Sequence, residues 1–204
     1  MNGRQRLILL PVLAALFLTG CVASPPRDRD NICEIFREKP DWYEDAVDSQ
    51  DEWGTPIQVS MAIMRQESNF VADAKPPKNY VLGFIPWGRV SSAYGYAQAQ
   101  DPAWEDYQRA TDNGGSRTDF GDAIDFIGWY TNETHKILGI SKWDTYRQYL
   151  AYHEGRGGYK RGTYKRKPQL IRVARKVENY AKRYGGQLRS CRKELEDNRS
   201  WWPF

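Results

Sequence analysis

Residues 55–70 of this 204-residue chain read TPIQVSMAIMRQESNF, and this stretch decides how the fold is interpreted. Thr55, Pro56 and Gln58 form a helix start signal, with Thr55 as the predicted N-cap and Pro56 at the first helical position. The apolar residues that follow predict a buried helix. That helix ends in a carboxylic acid and a hydroxyl, Glu67 and Ser68, which are unexpected beside so apolar a segment.

Glu67 shares one face of the predicted helix with Ile63 and Met64. Burial and the negative end of the helix dipole both disfavour its charged form, so we expect a raised pKa. A carboxylic acid that keeps its proton near neutral pH can act as a general acid. The alternative is a solvated glutamate beyond the buried part of the helix, paired with Arg65 or Lys75.

Most of the remaining chain also has a helical pattern, which predicts one mainly α domain without internal repeats. The other predicted helices cover residues 41–53, 102–110, 118–138, the segment from an N-cap at Ser141 to Gly155, and 168–185. Strand alternation is scarce. Residues 71–94 are predicted to be an irregular loop, and its aromatic residues either serve binding or cover the core.

The N-terminal residues have the layout of an export signal. Arg4 and Arg6 precede an apolar run over residues 7–18, which is short for a transmembrane helix. Leu18-Thr19-Gly20-Cys21 at its end resembles the lipobox of bacterial lipoproteins, in which the cysteine is acylated and becomes the new N-terminus. An ordinary secreted protein with a chance cysteine is the alternative.

This pattern divides the chain into a signal peptide at 1–20, an acylated N-terminus and tether at 21–31, and a domain at 32–204. Lipid on Cys21 would hold the protein at a membrane surface without spanning it. The expected location is the periplasm, with the lipid in the outer membrane. With Cys21 acylated, Cys33 and Cys191 remain, and an oxidising compartment predicts that they form a disulfide. Closing that loop would stabilise the fold by about 4 to 5 kcal/mol in the chain-entropy model.

The charge pattern and the histidines narrow the possible partners. The chain has a net charge of +4, and residues 156–193 are strongly basic. They form either a solvated helix face or a surface for anionic wall polymer or lipid headgroups. Nucleic acid is a poor candidate partner because of the export signal. His135 and His153 lack ligand-spaced partners, so we expect neither a metal nor a cofactor.

Three motifs follow one another in a specific order. Glu67-Ser68 ends an apolar helix, Ala93-Tyr94-Gly95-Tyr96-Ala97-Gln98 follows the irregular loop, and Ala151-Tyr152-His153-Glu154-Gly155 closes a later helix. In this order and context they resemble the soluble-type (SLT) lytic transglycosylases, which share a lysozyme-like fold with goose-type lysozymes. The resemblance covers residues 53–180.

The resemblance implies a role for each matching residue. Glu67 matches the catalytic acid and base, and Tyr152 matches the hydroxyl that assists near the scissile bond. The implied substrate-binding residues are Ser68, which would orient Glu67, together with Ser92, Tyr94, Gly95, Tyr96 and Gln98. The chain departs from the family pattern in two places: Tyr96-Ala97 stands where Leu-Met is usual, and His153 stands where Asn is usual.

The resemblance also implies the reaction. A single Glu protonates the glycosidic oxygen between N-acetylmuramic acid and N-acetylglucosamine of peptidoglycan, then takes the proton of the sugar's own 6-hydroxyl, which closes a 1,6-anhydro ring. That hydroxyl is already in place, so a second carboxylate is unnecessary. A second carboxylate across the cleft would instead make the protein a hydrolytic muramidase. The candidates for it are Asp73, Glu105, Asp106, Glu133 and Glu154. A non-catalytic peptidoglycan-binding lipoprotein is the other alternative.

Overall fold

The computed structural model describes the backbone of residues 24–81 and 85–200 and the side chains of residues 24–78 and 90–198. Within these ranges the elements are α1 (Ile32–Glu38), α2 (Pro40–Trp53), α3 (Ile57–Ser68), β1 (Lys78–Val81), β2 (Ile85–Arg89), α4 (Asp101–Thr111), α5 (Phe120–Leu138), α6 (Thr145–Lys160) and α7 (Pro168–Ser200). A short 3-10 helix, Thr163–Arg166, connects α6 to α7. The prediction of a mainly α fold is confirmed.

Helix α3 lies in the hydrophobic core, as its apolar sequence predicts. Met61, Ala62, Ile63 and Met64 are fully buried, and α3 packs against α2, α5 and α7. Burying a side chain such as Ile or Met stabilises the fold by about 1.5 to 3 kcal/mol relative to exposing it. Packing on several sides fixes the position of α3, and therefore of the side chains at its C-terminal end.

The start of α3 differs from the prediction. The helix begins at Ile57 with Pro56 as its N-cap residue, and no side chain caps it. The Thr55 hydroxyl instead lies 2.6 Å from the Thr131 hydroxyl of α5. Thr55 and Thr131 are both buried, so each hydroxyl needs a protein partner in place of water. Thr55 thus fastens α3 to α5 rather than capping α3.

Helix α6 begins later than its sequence predicts, and it is interrupted where the sequence predicts its end. Asp144 is the N-cap and accepts a hydrogen bond from the Arg147 backbone amide, whereas the predicted cap, Ser141, binds the amide of Trp143 in the preceding turn. The predicted stop at Gly155 is a real break in the helix: with φ 70° and ψ 153° its backbone is not helical, and a second helical segment continues from it as far as Lys160.

Helix α7 continues well past Gly185, where the sequence predicts an end. Its buried stripe goes on through Tyr184, Leu188, Cys191 and Leu195 at helical spacing. The predicted disulfide between Cys33 and Cys191 is confirmed, with a Cα–Cα distance of 6.1 Å. It joins the C-terminal half of α7 to α1, and these contacts keep the helix in place beyond the glycine.

The segment between α3 and α4 contains an antiparallel hairpin of β1 and β2, with Lys78 opposite Arg89 and Val81 opposite Ile85. The prediction of a wholly irregular loop over residues 71–94 is therefore wrong, because backbone pairing creates order that the side-chain pattern does not reveal.

Several features of the sequence analysis lie outside the described part of the chain: the side chains of Tyr80 and Trp87, residue Phe84, the apolar tail 201–204 and the lipobox with Cys21. None of the described helices is long and apolar enough to cross a bilayer.

The residues just before α1 contact the helical domain. The Asp30 carboxylate forms ion pairs with Arg65, at 2.9 Å, and with Arg183. The Arg29 backbone carbonyl accepts hydrogen bonds from Arg65 and from the Tyr184 hydroxyl. This stretch therefore lies against the end of α3 and the middle of α7.

Candidate active site

Glu67 lies in the last turn of α3 with its carboxyl group largely withdrawn from water. Its Oε1 is inaccessible to solvent and has no hydrogen-bond partner within the described part of the chain. Burial raises the pKa of Glu67 to about 7, and a hydrogen bond from the Tyr149 hydroxyl opposes that rise only in part. The expected raised pKa is confirmed, with desolvation as its main cause.

The cations that could have neutralised Glu67 are engaged elsewhere. Arg65 pairs with Asp30, donates to the Tyr184 hydroxyl at 3.0 Å and lies 4.1 Å from the centre of the Tyr180 ring. The Lys75 ammonium lies 5.1 Å from the centre of the Tyr94 ring. Neither predicted ion pair with Glu67 is formed.

Ser68 shapes the turn that follows Glu67. Its buried hydroxyl donates to the Met64 carbonyl at 3.3 Å and accepts from the Phe70 amide at 3.1 Å. Asn69 and Phe70 both have positive φ, 53° and 61°. A left-handed conformation is costly for an aromatic residue, and the burial of Phe70 holds it in place. Ser68 is thus the last residue of α3 and holds the turn that follows it, and it makes no hydrogen bond to the Glu67 carboxylate in the structure.

Two tyrosines of α6 lie close to Glu67. Tyr149 and Tyr152 are three residues apart and so share a face of the helix. Burial raises the pKa of both hydroxyls well above the ordinary value, and the nearby Glu67 charge raises them further. Both therefore remain hydrogen-bond donors throughout the physiological range. The Tyr149 hydroxyl favours the ionised form of Glu67 and so limits the rise in its pKa, whereas Tyr152 donates to the Ala97 carbonyl at 2.6 Å.

The second motif forms a tight loop that Gln98 holds together. The Gln98 side-chain amide donates to the carbonyls of Ala74 and Gly95, both at 2.9 Å. Gly95 has φ 78°, and a Cβ atom there would lie 1.9 Å from the Arg117 carbonyl oxygen, so only glycine fits. The loop places the Ala97 carbonyl against Tyr152, and Gln98 itself lines a cleft beside that tyrosine.

The other predicted substrate contacts have different positions. Tyr96 is 1% exposed and packs against Trp42 and Phe120, so we correct it from a cleft residue to a core residue. Tyr94 is partly exposed and lies between the side chains of Lys75 and Arg117. Ser92 is exposed, and its hydroxyl accepts from the first amide of α4.

Two cavities adjoin at His153, in the neighbourhood of Glu67. The first, of about 310 Å³, is lined by Gln98, Tyr130 and Tyr152, among others. The second, of about 640 Å³, is lined by Gln66 and Tyr149, with His153 lining both. We refer to these two cavities, which share His153, as the cleft; Glu67 itself lines neither of them, but Gln66, its neighbour in the chain, and Tyr149, which interacts with it, line the second.

Glu154 is the one alternative carboxylate that lines this cleft within the described part of the chain. Its side chain is 4% exposed; burial alone would raise its pKa, but hydrogen bonds from Lys167, Thr163 and His153 lower it overall. Lys167 and His153 reach one oxygen, at 2.7 and 3.3 Å, and Thr163 donates to the other. Glu154 is thus a partnered anion and not a free base.

Tyr149 is a candidate site residue that the sequence analysis did not single out. Its hydroxyl opposes the rise in the pKa of Glu67, yet in the sequence Tyr149 is one more apolar position on a helix. The available signal was its spacing, because a residue three before Tyr152 lies on the same helix face. Tyr130 of α5 was missed as well; its ring lies 5.0 Å from that of Tyr152.

Comparison with known families agrees with this site. A family model described as a transglycosylase SLT domain matches residues 9–191, a longer span than the three motifs cover. No curated protein and no solved structure matches the chain. Because this family match covers most of its length, the chain belongs to the SLT transglycosylase domain family and is a peptidoglycan lytic transglycosylase.

Proposed function

We propose that this protein is a membrane-bound lytic transglycosylase that cleaves the β-1,4 bond between N-acetylmuramic acid and N-acetylglucosamine without consuming water. The products would be strands that end in 1,6-anhydro-N-acetylmuramic acid. The observation that carries the proposal is the Glu67 carboxyl group, which has a buried, unpartnered oxygen and a pKa of about 7.

In the first step Glu67 acts as the general acid. At neutral pH a substantial fraction of its carboxyl groups carries a proton, which moves to the glycosidic oxygen as the bond to the anomeric carbon breaks. The 2-acetamido group of the sugar helps to carry the positive charge that develops on the ring. An acid that titrates near the working pH can donate its proton and also recover it, as the second step requires.

In the second step the ionised Glu67 acts as the general base. It removes the proton of the sugar's 6-hydroxyl, whose oxygen bonds to the anomeric carbon and closes the anhydro ring. Glu67 thereby regains its proton. An intramolecular nucleophile has the entropic advantage of being already positioned. The site is suited to this route because the other carboxylate of the cleft, Glu154, is held by three donors.

The neighbouring residues position the acid and the substrate. The Tyr149 hydroxyl stabilises the carboxylate that forms after proton transfer, because a hydrogen bond to the charged form favours it. Tyr152 and Gln98 line the cleft and hold the loop of the second motif. Tyr152 would assist near the scissile bond as part of this arrangement.

A hydrolytic muramidase and a wall-binding lipoprotein are the competing functions. The muramidase needs a second free carboxylate, and Glu154 is already occupied by its partners. A binding protein does not need a desolvated carboxylic acid, and such a group destabilises the folded protein when it ionises. The raised pKa of Glu67 therefore favours an enzyme over a binder.

The proposed location rests on the sequence. The Leu18-Thr19-Gly20-Cys21 motif supports acylation of Cys21, a lipid anchor and a periplasmic position at the outer membrane. Labelling with a radioactive fatty acid tests this directly. A chain that takes up label, and a Cys21→Ser variant that does not, would support the anchor; an unlabelled parent chain would contradict it.

Mass spectrometry of the fragments released from isolated peptidoglycan tests the reaction. We expect muropeptides that end in 1,6-anhydro-N-acetylmuramic acid from the parent protein and none from a Glu67→Gln variant. The matched control is Glu105→Gln, which removes an exposed carboxylate among the alternative candidates and should leave the products unchanged. Reducing ends that carry an added water would identify a muramidase, and an absence of products from the parent would favour the binding lipoprotein.

A further inference from the structure

A second cavity with features of a binding site lies away from Glu67. It has a volume of about 610 Å³ and lies among the N-terminal end of α3, the start of α6 and the middle of α7. Trp143, in the turn before α6, lines it and is 71% exposed. An exposed tryptophan beside a concave surface is a common feature of recognition sites, because the ring offers a large, rigid contact area.

The polar groups of this cavity include two without protein partners. Within the side chains that the structure describes, neither Gln58 nor Arg189 makes a hydrogen bond or an ion pair. Both line the cavity beside Gly185, which adds no side chain to its wall. Glu178 and Lys182 also line it, and they pair with each other at 2.7 Å. Asp144 lines the cavity as well and pairs with Arg147 outside it, so the cavity offers a flat aromatic ring, a free amide and a free cation beside two carboxylates that already have partners.

This cavity is distinct from the active-site cleft. Gln58 precedes Glu67 by nine residues on α3, which separates them by about 13 Å along the helix axis. None of the residues that line the cavity also lines either cavity at His153. A ligand bound here would leave the active-site cleft free for another part of the same polymer.

We propose that this cavity is a second binding site for peptidoglycan, which holds a glycan strand at a distance from the bond that Glu67 cleaves. Sugar rings have an apolar face that can stack on Trp143. The acetamido groups of the strand can pair with the Gln58 amide, and the carboxylates of its peptide stems with the Arg189 guanidinium. This goes beyond the proposed reaction and rests only on peptidoglycan being the polymer that the family acts on.

The chemistry of the cavity favours a glycan over a membrane surface as its ligand. A bilayer is contacted by a protruding apolar surface, whereas Trp143 borders a concave cavity that contains a free amide. A second site would also raise the effective concentration of the polymer at the active-site cleft. Its contribution should therefore be largest for long strands and absent for fragments that are too short to reach both sites.

Sedimentation of the full-length chain with isolated peptidoglycan tests the proposal, in a Glu67→Gln background so that the polymer is not degraded. We expect Trp143→Ala and Arg189→Glu each to weaken binding about tenfold, equivalent to one well-packed contact. The matched controls are Ile137→Ala, which removes another exposed apolar side chain, and Arg172→Glu, which reverses another exposed charge of α7. Neither control residue lines the cavity, and both should bind like the parent.

Turnover by the otherwise unaltered enzyme provides the second measurement. Trp143→Ala should slow the digestion of intact peptidoglycan and leave that of short soluble fragments unchanged. Parent-like binding of peptidoglycan by Trp143→Ala would overturn the proposal. If Trp143→Ala instead lost binding to anionic phospholipid vesicles and kept its binding to peptidoglycan, the cavity would be a membrane contact, and the proposal would also be overturned. The sedimentation result does not require turnover, so it remains decisive even if the anhydro products are not found.

Discussion

The behaviour of Glu67 depends on a balance between two opposing local effects. Desolvation at the end of α3 favours the neutral acid, and the hydrogen bond from Tyr149 favours the carboxylate. Because desolvation is the larger effect, the pKa of Glu67 rises to about 7 and the group can exchange a proton near neutral pH. An ion pair with Arg65 would have stabilised the Glu67 carboxylate and lowered its pKa, but Arg65 instead binds Asp30 and Tyr184.

Replacing Tyr149 by Phe should move the pH profile of the enzyme. Loss of this hydrogen bond removes the effect that lowers the pKa of Glu67, so the pKa rises further. The acid form is the active one at the start of the reaction, and kcat/KM falls as the pH rises through the pKa of Glu67. The alkaline limb of kcat/KM against pH should therefore shift to higher pH.

The comparison variant is Tyr152→Phe, whose lost hydroxyl donates to the Ala97 carbonyl. It should lower the rate through the altered loop and leave the alkaline limb at the pH of the parent. An unmoved limb in Tyr149→Phe would contradict the assignment of Tyr149 as the donor to Glu67.

Among the elements, the loop between β2 and α4 has the strictest steric requirements. It must bring Ala97 and Gln98 to α6, and it does so by passing close to the backbone at Arg117. The Tyr96 amide donates to the Arg117 carbonyl at 3.1 Å, so the two segments are joined where Gly95 leaves no room for a side chain. The site therefore depends on a glycine that takes no part in the chemistry.

Gly95 and Gly139 have similar φ angles, 78° and 68°. Substitutions at these two positions therefore distinguish the cost of the left-handed backbone conformation from the cost of a steric clash. Gly139→Ala meets nothing within 4 Å and should cost only the left-handed conformation, about 1 kcal/mol. Gly95→Ala adds a clash with a backbone oxygen and should cost about 3 to 4 kcal/mol, with loss of turnover. Urea denaturation measures both costs, and equal costs would mean that the loop moves aside freely.

At the scale of the whole molecule, α7 connects the parts of the fold that position the site. It packs against α1, α3 and α6, and so contacts both helices that carry the candidate catalytic side chains. The disulfide joins its C-terminal half to α1 across 158 positions of sequence. The ion pair of Arg37 with Glu194 at 2.6 Å lies on the surface close to that bond and contributes little by comparison.

Removing the disulfide should therefore lower stability without displacing the site. Cys33→Ser combined with Cys191→Ser should cost about 4 kcal/mol and lower the Tm by about 10 °C. Turnover well below the unfolding transition should stay near that of the parent, since neither cysteine lines the cavities at His153. Differential scanning calorimetry of the parent and of the double variant gives the shift. A Tm equal to that of the parent would contradict the expected contribution.

Features that a local pattern or a count of residues expresses were correctly predicted from the sequence alone. The apolar run before Glu67 predicted a buried helix with a perturbed acid, and the pair of cysteines remaining besides Cys21 predicted the disulfide. Helical periodicity and an even count of cysteines are physical constraints that the sequence expresses directly. The order of the three motifs was enough to indicate the family, which the family model confirms.

The tertiary structure alone decided which side chain faces which. It placed Tyr149 against Glu67, buried Tyr96 in the core, gave Thr55 a partner on α5 and exposed Trp143 beside a cavity. Each of these depends on contacts between segments that are distant in the sequence, where packing and the need to satisfy buried polar groups override local preference. The sequence by itself determined the acid and the helix that carries it, whereas the folded structure determined the neighbours that tune its pKa.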